Sequence, residues 1–181
     1  MSIEITKEML LAAKDYIPIA QKGEWVSDVA EMCFERYSIT YGDQQFPPMY
    51  GVNTELKSRF LMGFFIRHYL GIKEGNESNE PWLMPEDEYD KWAASHVFGQ
   101  LDRWKHDAEV RDKCFDLLAD YKDLEKRLSS RISGLLAVQN DFLVRSSQDL
   151  STQMQALPSI LKALEEMKQG DGENAEQQQS S

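Results

Sequence analysis

The sequence predicts an all-α protein in three parts: a compact N-terminal helical bundle, a long or broken helical hairpin of coiled-coil type, and a disordered acidic, glutamine-rich tail. Three observations predict this class. Apolar residues recur through the second half at alternating spacings of three and four, caps and amphipathic stretches fill the first half, and no persuasive period-two strand pattern occurs. The run in the second half is apolar except for one arginine and comprises Val110, Cys114, Leu117, Tyr121, Leu124, Leu128, Arg131, Leu135, Val138 and Phe142.

Composition and net charge limit how large the hydrophobic core can be and which kinds of partner the protein can bind. The chain has 181 residues, 41% of them hydrophobic, and a formal net charge of −11 at pH 7. That length supports one domain with a helical extension, and we expect a bundle over 1–106, a heptad-patterned hairpin over 107–168 and a tail over 169–181. The acidic field disfavours direct binding to nucleic acid or to anionic membranes and favours basic partners. A role in solubility is the simpler alternative for this charge.

The first two helices are predicted from caps and breakers. Thr6 is a candidate N-cap, and we expect the first helix to stop near Ile17 because Pro18 disfavours helical geometry in the residue before it. A second, amphipathic helix is expected to begin after Gly23 and to run as far as Tyr37.

The middle of the first half predicts an anchored loop followed by the most buried helix. Residues 42–53 contain glycines and prolines, which favour turns, together with apolar side chains. This combination is typical of an ordered loop that packs on a core. Asn53 or Thr54 should cap the next helix, which Gly71 ends, and apolar residues cover most of its circumference. Gly63 inside it costs about 1 kcal/mol of helix propensity against alanine, so we expect a close helix crossing there.

An acidic segment, residues 73–90, precedes the heptad run and is a candidate binding surface. A helix is expected from Pro85, where acidic side chains suit the positive helix end, and Gly99 is expected to kink or end it. Exposed tryptophans are frequent binding anchors, although core burial is the alternative for each tryptophan here. A solvated helix start is the alternative for the acidic side chains. The candidate partner-binding residues of the segment are Trp82, Glu86, Asp87 and Glu88.

The heptad run is the second candidate partner surface, because a seam of this kind needs another helix to cover it. Arg131 interrupts the seam, either as a charged position that selects register and oligomeric state or as the point where the seam leaves the core. Weak helix formers between Ser129 and Gly134 predict a bend or a break. The candidate partner-binding residues of the run are Leu117, Leu124, Leu128, Arg131 and Leu135.

A displaced apolar stripe follows Phe142. Pro158 lies inside this stripe and should kink the helix or mark a new helix start. The residues beyond Gln169 have nothing to bury and are expected to be disordered. The stripe resumes the three-four alternation at Leu150, Met154, Leu157, Leu161 and Leu164.

No residue pattern of a catalytic, cofactor-binding or metal site occurs in the sequence. His68, His96 and His106 lack the spacing of paired imidazole ligands on a helix, and none follows a glutamate by three positions. Cys-x-x-Cys pairs, glycine-rich phosphate loops and Gly-x-Ser-x-Gly motifs do not occur either. Cys33 and Cys114 are expected to be buried free thiols. Because the sequence has no basic signal region and no long apolar span, we expect a cytoplasmic protein.

These observations favour a non-enzymatic interaction or assembly protein that acts through heptad-type helical surfaces and an acidic face. Its expected partner is another helical protein or a second copy of the chain, and no cofactor is expected. One alternative is an acidic regulator or inhibitor of a nucleic-acid-binding protein, whose binding would weaken steeply with salt. The other is an enzyme with an unrecognised helical active site, in which folding would gather Cys33, His68 or His96 with carboxylates.

Overall fold

The fold is mainly helical, as the sequence predicts, and it contains one long C-terminal helix. The structure is a computed structural model with 75% of the chain in helices and 6% in strands. It describes residues 3–38, 40–41, 44–45, 49–72 and 82–178, with the backbone alone for 40–41, 44–45 and 163–178. The helices are α1 (Lys7–Ala12), α2 (Ile19–Ala30), α3 (Thr54–Phe64), α4 (Glu86–Ala94), α5 (Val97–Trp104) and α6 (Arg111–Gln178). The strands are β1 (Phe34–Tyr37), β2 (Thr40–Tyr41), β3 (Gln44–Gln45) and β4 (Met49–Val52).

Helix α1 begins as predicted and ends earlier. The hydroxyl of Thr6 accepts a hydrogen bond from a first-turn backbone amide at 3.3 Å, so the cap is confirmed. The helix ends at Ala12 rather than near Ile17. The amide of Lys14 instead donates to the carbonyl of Tyr69 at 2.8 Å, which ties this stretch of backbone to a distant element.

Helix α2 begins at Ile19, directly after Pro18. A proline lacks the backbone N–H, but no helical hydrogen bond needs that group at this position, so Pro18 can begin a helix. It marks the start of α2 and not the end of α1, which already ends at Ala12. Gly23, after which the helix was expected to begin, therefore lies inside it.

The stretch from Phe34 to Val52 holds strands that the sequence analysis did not predict. Helix α2 ends at Ala30 and a 3-10 turn leads into β1, so the expectation of a helix as far as Tyr37 is wrong. Strand β1 pairs with β4, and β2 pairs antiparallel with β3. A Cβ atom at Gly51 would lie only 2.3 Å from the ring of Tyr37, so any larger residue there would require this exposed ring to move. Within the expected loop, residues 42–43 and 46–48 lie outside the described residues.

The second half of helix α3, from Phe60 to Phe64, is buried. The side chain of Asn53 caps the helix by accepting a hydrogen bond from the Leu56 amide at 3.0 Å. The helix continues into a π-helical turn, Phe65–Tyr69, and the chain reverses at Gly71, whose φ of 68° favours glycine.

Gly63 permits a close approach, but not of the kind expected. A Cβ atom there would lie 2.9 Å from the backbone carbonyl oxygen of Trp82 and 3.0 Å from its ring. The segment that precedes α4 therefore packs on α3 at this glycine, where a helix crossing was expected.

Helices α4 and α5 are separated by a left-handed residue. Helix α4 follows Pro85, in agreement with the predicted start. The break falls at Ser95 and His96, and His96 adopts φ 52°, the left-handed conformation that often ends helices. Gly99, the expected break, lies inside α5.

Two compact units are formed. The first comprises Met1–Tyr37 with Tyr50–Ala137, and the second comprises Ser38–Met49 with Val138–Ser181. This division differs from the boundary expected between residues 106 and 107, because α6 residues as far as Ile132 belong to the core of the first unit. The largest fully buried apolar side chains of that core are Ile5, Leu10, Ile17, Phe65, Ile66, Tyr69, Met84, Leu101, Leu117, Leu124 and Leu128.

The hairpin expected in the C-terminal half is replaced by one continuous helix. Helix α6 runs from Arg111 to Gln178 with Pro158 inside it. Ser129 lies inside the helix, where its hydroxyl donates a hydrogen bond to the Glu125 carbonyl one turn earlier, at 2.8 Å. The backbone is helical through the first ten residues of the expected disordered tail, and 179–181 lie outside the described residues. None of the described helices combines the length and the apolar character needed to cross a membrane.

Candidate interaction surface

The first part of the heptad seam lies inside the protein's own core. Leu117, Leu124 and Leu128 are fully buried in the first unit. Side chains covered in this way present no surface to a partner, so the expectation that these three leucines pack between chains is corrected. The physical reason is that the core of the first unit supplies the cover that the seam requires.

Arg131 marks the point where the seam leaves the core. Its side chain is exposed, while Ile132 beside it is buried and Leu135 is half-buried against the core. A straight helix drifts by about 20° per heptad relative to a strict seven-residue repeat. Three heptads after Val110, the core-facing position has therefore moved from Arg131 to Ile132. The second of the two interpretations given for Arg131 fits this geometry.

Beyond the core, α6 exposes large apolar side chains. Val138 and Phe142, which end the predicted seam, are 71% and 67% exposed. Further along, five large side chains between 50% and 68% exposed follow helical spacing: Leu150, Met154, Leu157, Ile160 and Leu161. We call these five residues the C-terminal stripe. Isolated exposed apolar residues are ordinary, but a contiguous set on one helix face is typical of an interaction surface.

The charge around the C-terminal stripe differs from that of the whole chain. Residues 138–162 contain two acidic residues, Asp141 and Asp149, and two basic residues, Arg145 and Lys162, so their formal charge is zero against −11 for the chain. Asp141 and Arg145 form an ion pair with each other at 2.9 Å, one turn apart. The surface of this segment is therefore apolar and close to neutral.

Trp82 is held inside the first unit rather than presented as an anchor. Its ring is half-buried, lies against Gly63 and receives the guanidinium of Arg67 at 4.0 Å from its centroid. Burial lowers the pKa of Arg67, and the charge of Glu88 opposes that shift. The contacts of Trp82 are those of a packing residue.

The acidic residues at the start of α4 divide into two kinds. Glu86 and Asp87 are exposed, and Asp87 forms a 3.5 Å ion pair with Lys91. Glu88 is half-buried, and its Oε2 atom is shielded from water without a hydrogen bond among the described residues. Glu86 and Asp87 are thus the exposed acidic residues of the predicted surface.

The polar network around Lys22 has no counterpart in the sequence prediction. Lys22 is only 1% exposed, and its ammonium group contacts Asp120 and, at 3.1 Å, Asp123. Asp120 also accepts hydrogen bonds from the Tyr69 hydroxyl at 2.7 Å and from the Ile17 amide at 3.0 Å. Burial and the hydrogen bond to Asp120 raise the pKa of Tyr69. This network joins α2, the turn after α3 and α6.

The thiols and imidazoles do not form a reactive cluster in the described part of the chain. Both cysteines are buried free thiols, as predicted. Burial raises the pKa of Cys33 to about 11 and also raises that of Cys114, so both stay protonated at neutral pH. Burial lowers the pKa of His68, whose ring lies 4.3 Å from that of Phe64. No group of three or more potential metal ligands occurs among the described residues.

Three comparisons with known proteins give the same result. No family model, no curated protein and no solved structure matches this chain. Its function is therefore inferred from its own surfaces.

Proposed function

We propose that this protein is a non-enzymatic helical assembly protein that pairs with a second copy of itself through the C-terminal stripe of α6. The observation that carries the proposal is the exposure of Leu150, Met154, Leu157 and Leu161 at three-four spacing. That spacing lays the side chains along one face of a helix, in the register of a coiled-coil seam. A second helix of the same pattern covers such a seam by inserting its own side chains between them.

The apolar area is large enough to support pairing. Each leucine or methionine side chain moved fully out of water contributes roughly 1.5–3 kcal/mol. Association costs an estimated 4–15 kcal/mol in lost freedom of motion. A pair of chains buries the stripe of each copy, and its side chains are 50% to 68% exposed in the single chain, so the apolar contribution is of the same order as this cost.

The charges favour a second copy as the occupant. Two chains of net charge −11 repel each other over most of their surface. The segment 138–162 is an exception, since its acidic and basic residues balance. The positions that flank the seam in the heptad frame carry no charge, so identical chains meet there without like-charge contacts; they include Ser151, Gln153 and Pro158.

The same charges favour an antiparallel pair. Residues 163–178 contain five acidic residues and one lysine. A parallel pair would place two copies of this acidic stretch side by side, which like-charge repulsion opposes. An antiparallel pair centred on the stripe separates the two acidic stretches and brings each towards Arg145 of the other copy.

The mass of the particle in solution tests the proposal. Light scattering after size exclusion should give twice 20.9 kDa for the wild type. Leu157→Glu should give the monomer mass, because it places a charge in the seam. Ser159→Glu adds the same charge on the opposite face of α6 and should leave the dimer intact. A monomeric wild type at high concentration, or equal effects of the two variants, would contradict self-association.

An acidic regulator is the second candidate, and one feature favours it. Glu86 and Asp87 are exposed in the first turn of α4, where they are available to a basic cleft. Reversing both to lysine should then abolish capture of a basic nucleic-acid-binding protein and leave the dimer mass unchanged.

A further inference from the structure

The first unit carries a shallow groove whose lining shares no residue with the C-terminal stripe. Its volume is about 410 Å³, and it lies between the segment that begins α2 and the first part of α6. Tyr16, Ile19 and Ala119 supply its apolar lining, and four aspartates together with Lys22 and Arg127 supply its polar lining. The groove belongs to one compact unit, so its shape follows from the core beneath it.

The groove presents two large apolar side chains to water. Tyr16 and Ile19 are 55% and 56% exposed, whereas Ile17 between them is fully buried. The Ile17 amide donates to Asp120 at 3.0 Å, which fixes the backbone of this segment on α6. Because the backbone between these two side chains is already held, contact with a partner requires less ordering of this segment.

The charges in the groove are balanced at all but one position. Asp15 pairs with Lys113 at 3.1 Å, and Asp123 pairs with Arg127 at 2.8 Å. Asp120 is held by the Lys22 network described above. The fourth carboxylate, Asp116, is exposed and makes no hydrogen bond or ion pair among the described residues.

We propose that this groove docks a peptide segment of another protein in which a lysine or arginine lies beside apolar side chains. The apolar residues of the peptide pack on Tyr16 and Ile19, and its cation pairs with Asp116. Charge complementarity supports this occupant over a second copy, since a basic segment is attracted to a chain of net charge −11. The shallow, open form suits a peptide, whereas small-molecule sites enclose most of the ligand surface.

A displayed library of random 12-residue peptides, selected on the full-length protein, provides the probe. Enriched peptides should contain a lysine or arginine next to leucine, isoleucine or an aromatic residue. Synthetic copies of them should bind the wild type and bind Asp116→Lys about tenfold more weakly. Replacing the basic residue of the peptide by glutamate should reverse this preference, so that the charge-swapped peptide binds Asp116→Lys better than the wild type.

Two control variants make the result specific. Glu125→Lys carries the same charge reversal on the opposite face of α6 and should bind the peptides as the wild type does. Leu157→Glu, which should abolish dimerisation, should also bind the peptides normally. Loss of self-association and loss of peptide binding can therefore be observed separately. Failure to enrich any common pattern, or equal binding to Asp116→Lys and Glu125→Lys in variants with native circular dichroism, would overturn the proposal.

Discussion

The two parts of α6 share one pattern and differ in what surrounds them. From Arg111 to Ala137 the helix places its apolar face in the core of the first unit, where Leu124 is fully buried. From Val138 onward the same three-four spacing continues, but Leu157 is 50% exposed. The apolar face of the first part is covered by the fold of the chain itself, and that of the second part is exposed to solvent, where the proposed second copy would cover it. A heptad pattern thus indicates that cover is needed and leaves open which molecule provides it.

The largest expected effect is a loss of stability in a Lys22 variant, and it tests whether the first part of α6 is held firmly in the core. Lys22→Met removes the cation that balances Asp120 and should lower the free energy of unfolding by about 3–5 kcal/mol, since it leaves a shielded carboxylate without its charge partner. Lys126→Met, on the exposed face of α6, should change it by less than about 0.5 kcal/mol. Urea denaturation measures both. An equal decrease in the free energy of unfolding of the two variants would indicate that the Lys22 network does not hold α6 in place.

A matched pair of leucine variants tests the comparison directly. Leu124→Ala should lower the free energy of unfolding by about 2–5 kcal/mol, because it opens a cavity in the core. Leu157→Ala should change the stability of the dilute monomer by less than about 0.5 kcal/mol and weaken dimerisation instead. Urea denaturation at low concentration and light scattering at high concentration separate the two effects. If both variants destabilise the dilute monomer equally, the distinction between the two parts of α6 is incorrect.

A smaller effect concerns pH. The hydrogen bond from Arg127 is the main cause that lowers the pKa of Asp123 below 3.8, and Lys22 lowers it further. The resulting stabilisation is present above about pH 4 and is lost as the pH falls through the lowered pKa of the folded state. Arg127→Gln should therefore move the pKa of Asp123 back towards 3.8, which carboxyl-carbon NMR titration measures. An unchanged titration would show that the ion pair does not persist in solution.

Local signals in the sequence predict the starts of α1, α3 and α4, but not that of α2, which begins before Gly23. The side chains of Thr6 and Asn53 cap helices α1 and α3, and Pro85 precedes α4, because capping depends on a few neighbouring residues. The strands could not be found in this way. Strand β1 has one half-buried residue followed by three exposed ones, so it lacks the alternation that identifies a strand.

The candidate surfaces needed tertiary information that periodicity does not contain. The spacing of Leu117, Leu124 and Leu128 predicts a seam, yet only the fold shows that the core covers it. A signal for the buried network was nevertheless present. Lys22 lies three and four residues before Trp25 and Val26 on the apolar face of α2, and a lysine in that position indicates a buried partner.

The two cysteines offer an intrinsic probe of how often the first unit opens. Cys33 and Cys114 are shielded and protonated, and both belong to that unit. A thiol reagent can modify them only after a transient opening, so the labelling rate in native conditions reports the frequency of such openings. Because the C-terminal stripe contains no cysteine, labelling follows the first unit alone, and any effect of dimerisation on that rate measures coupling between assembly and core stability.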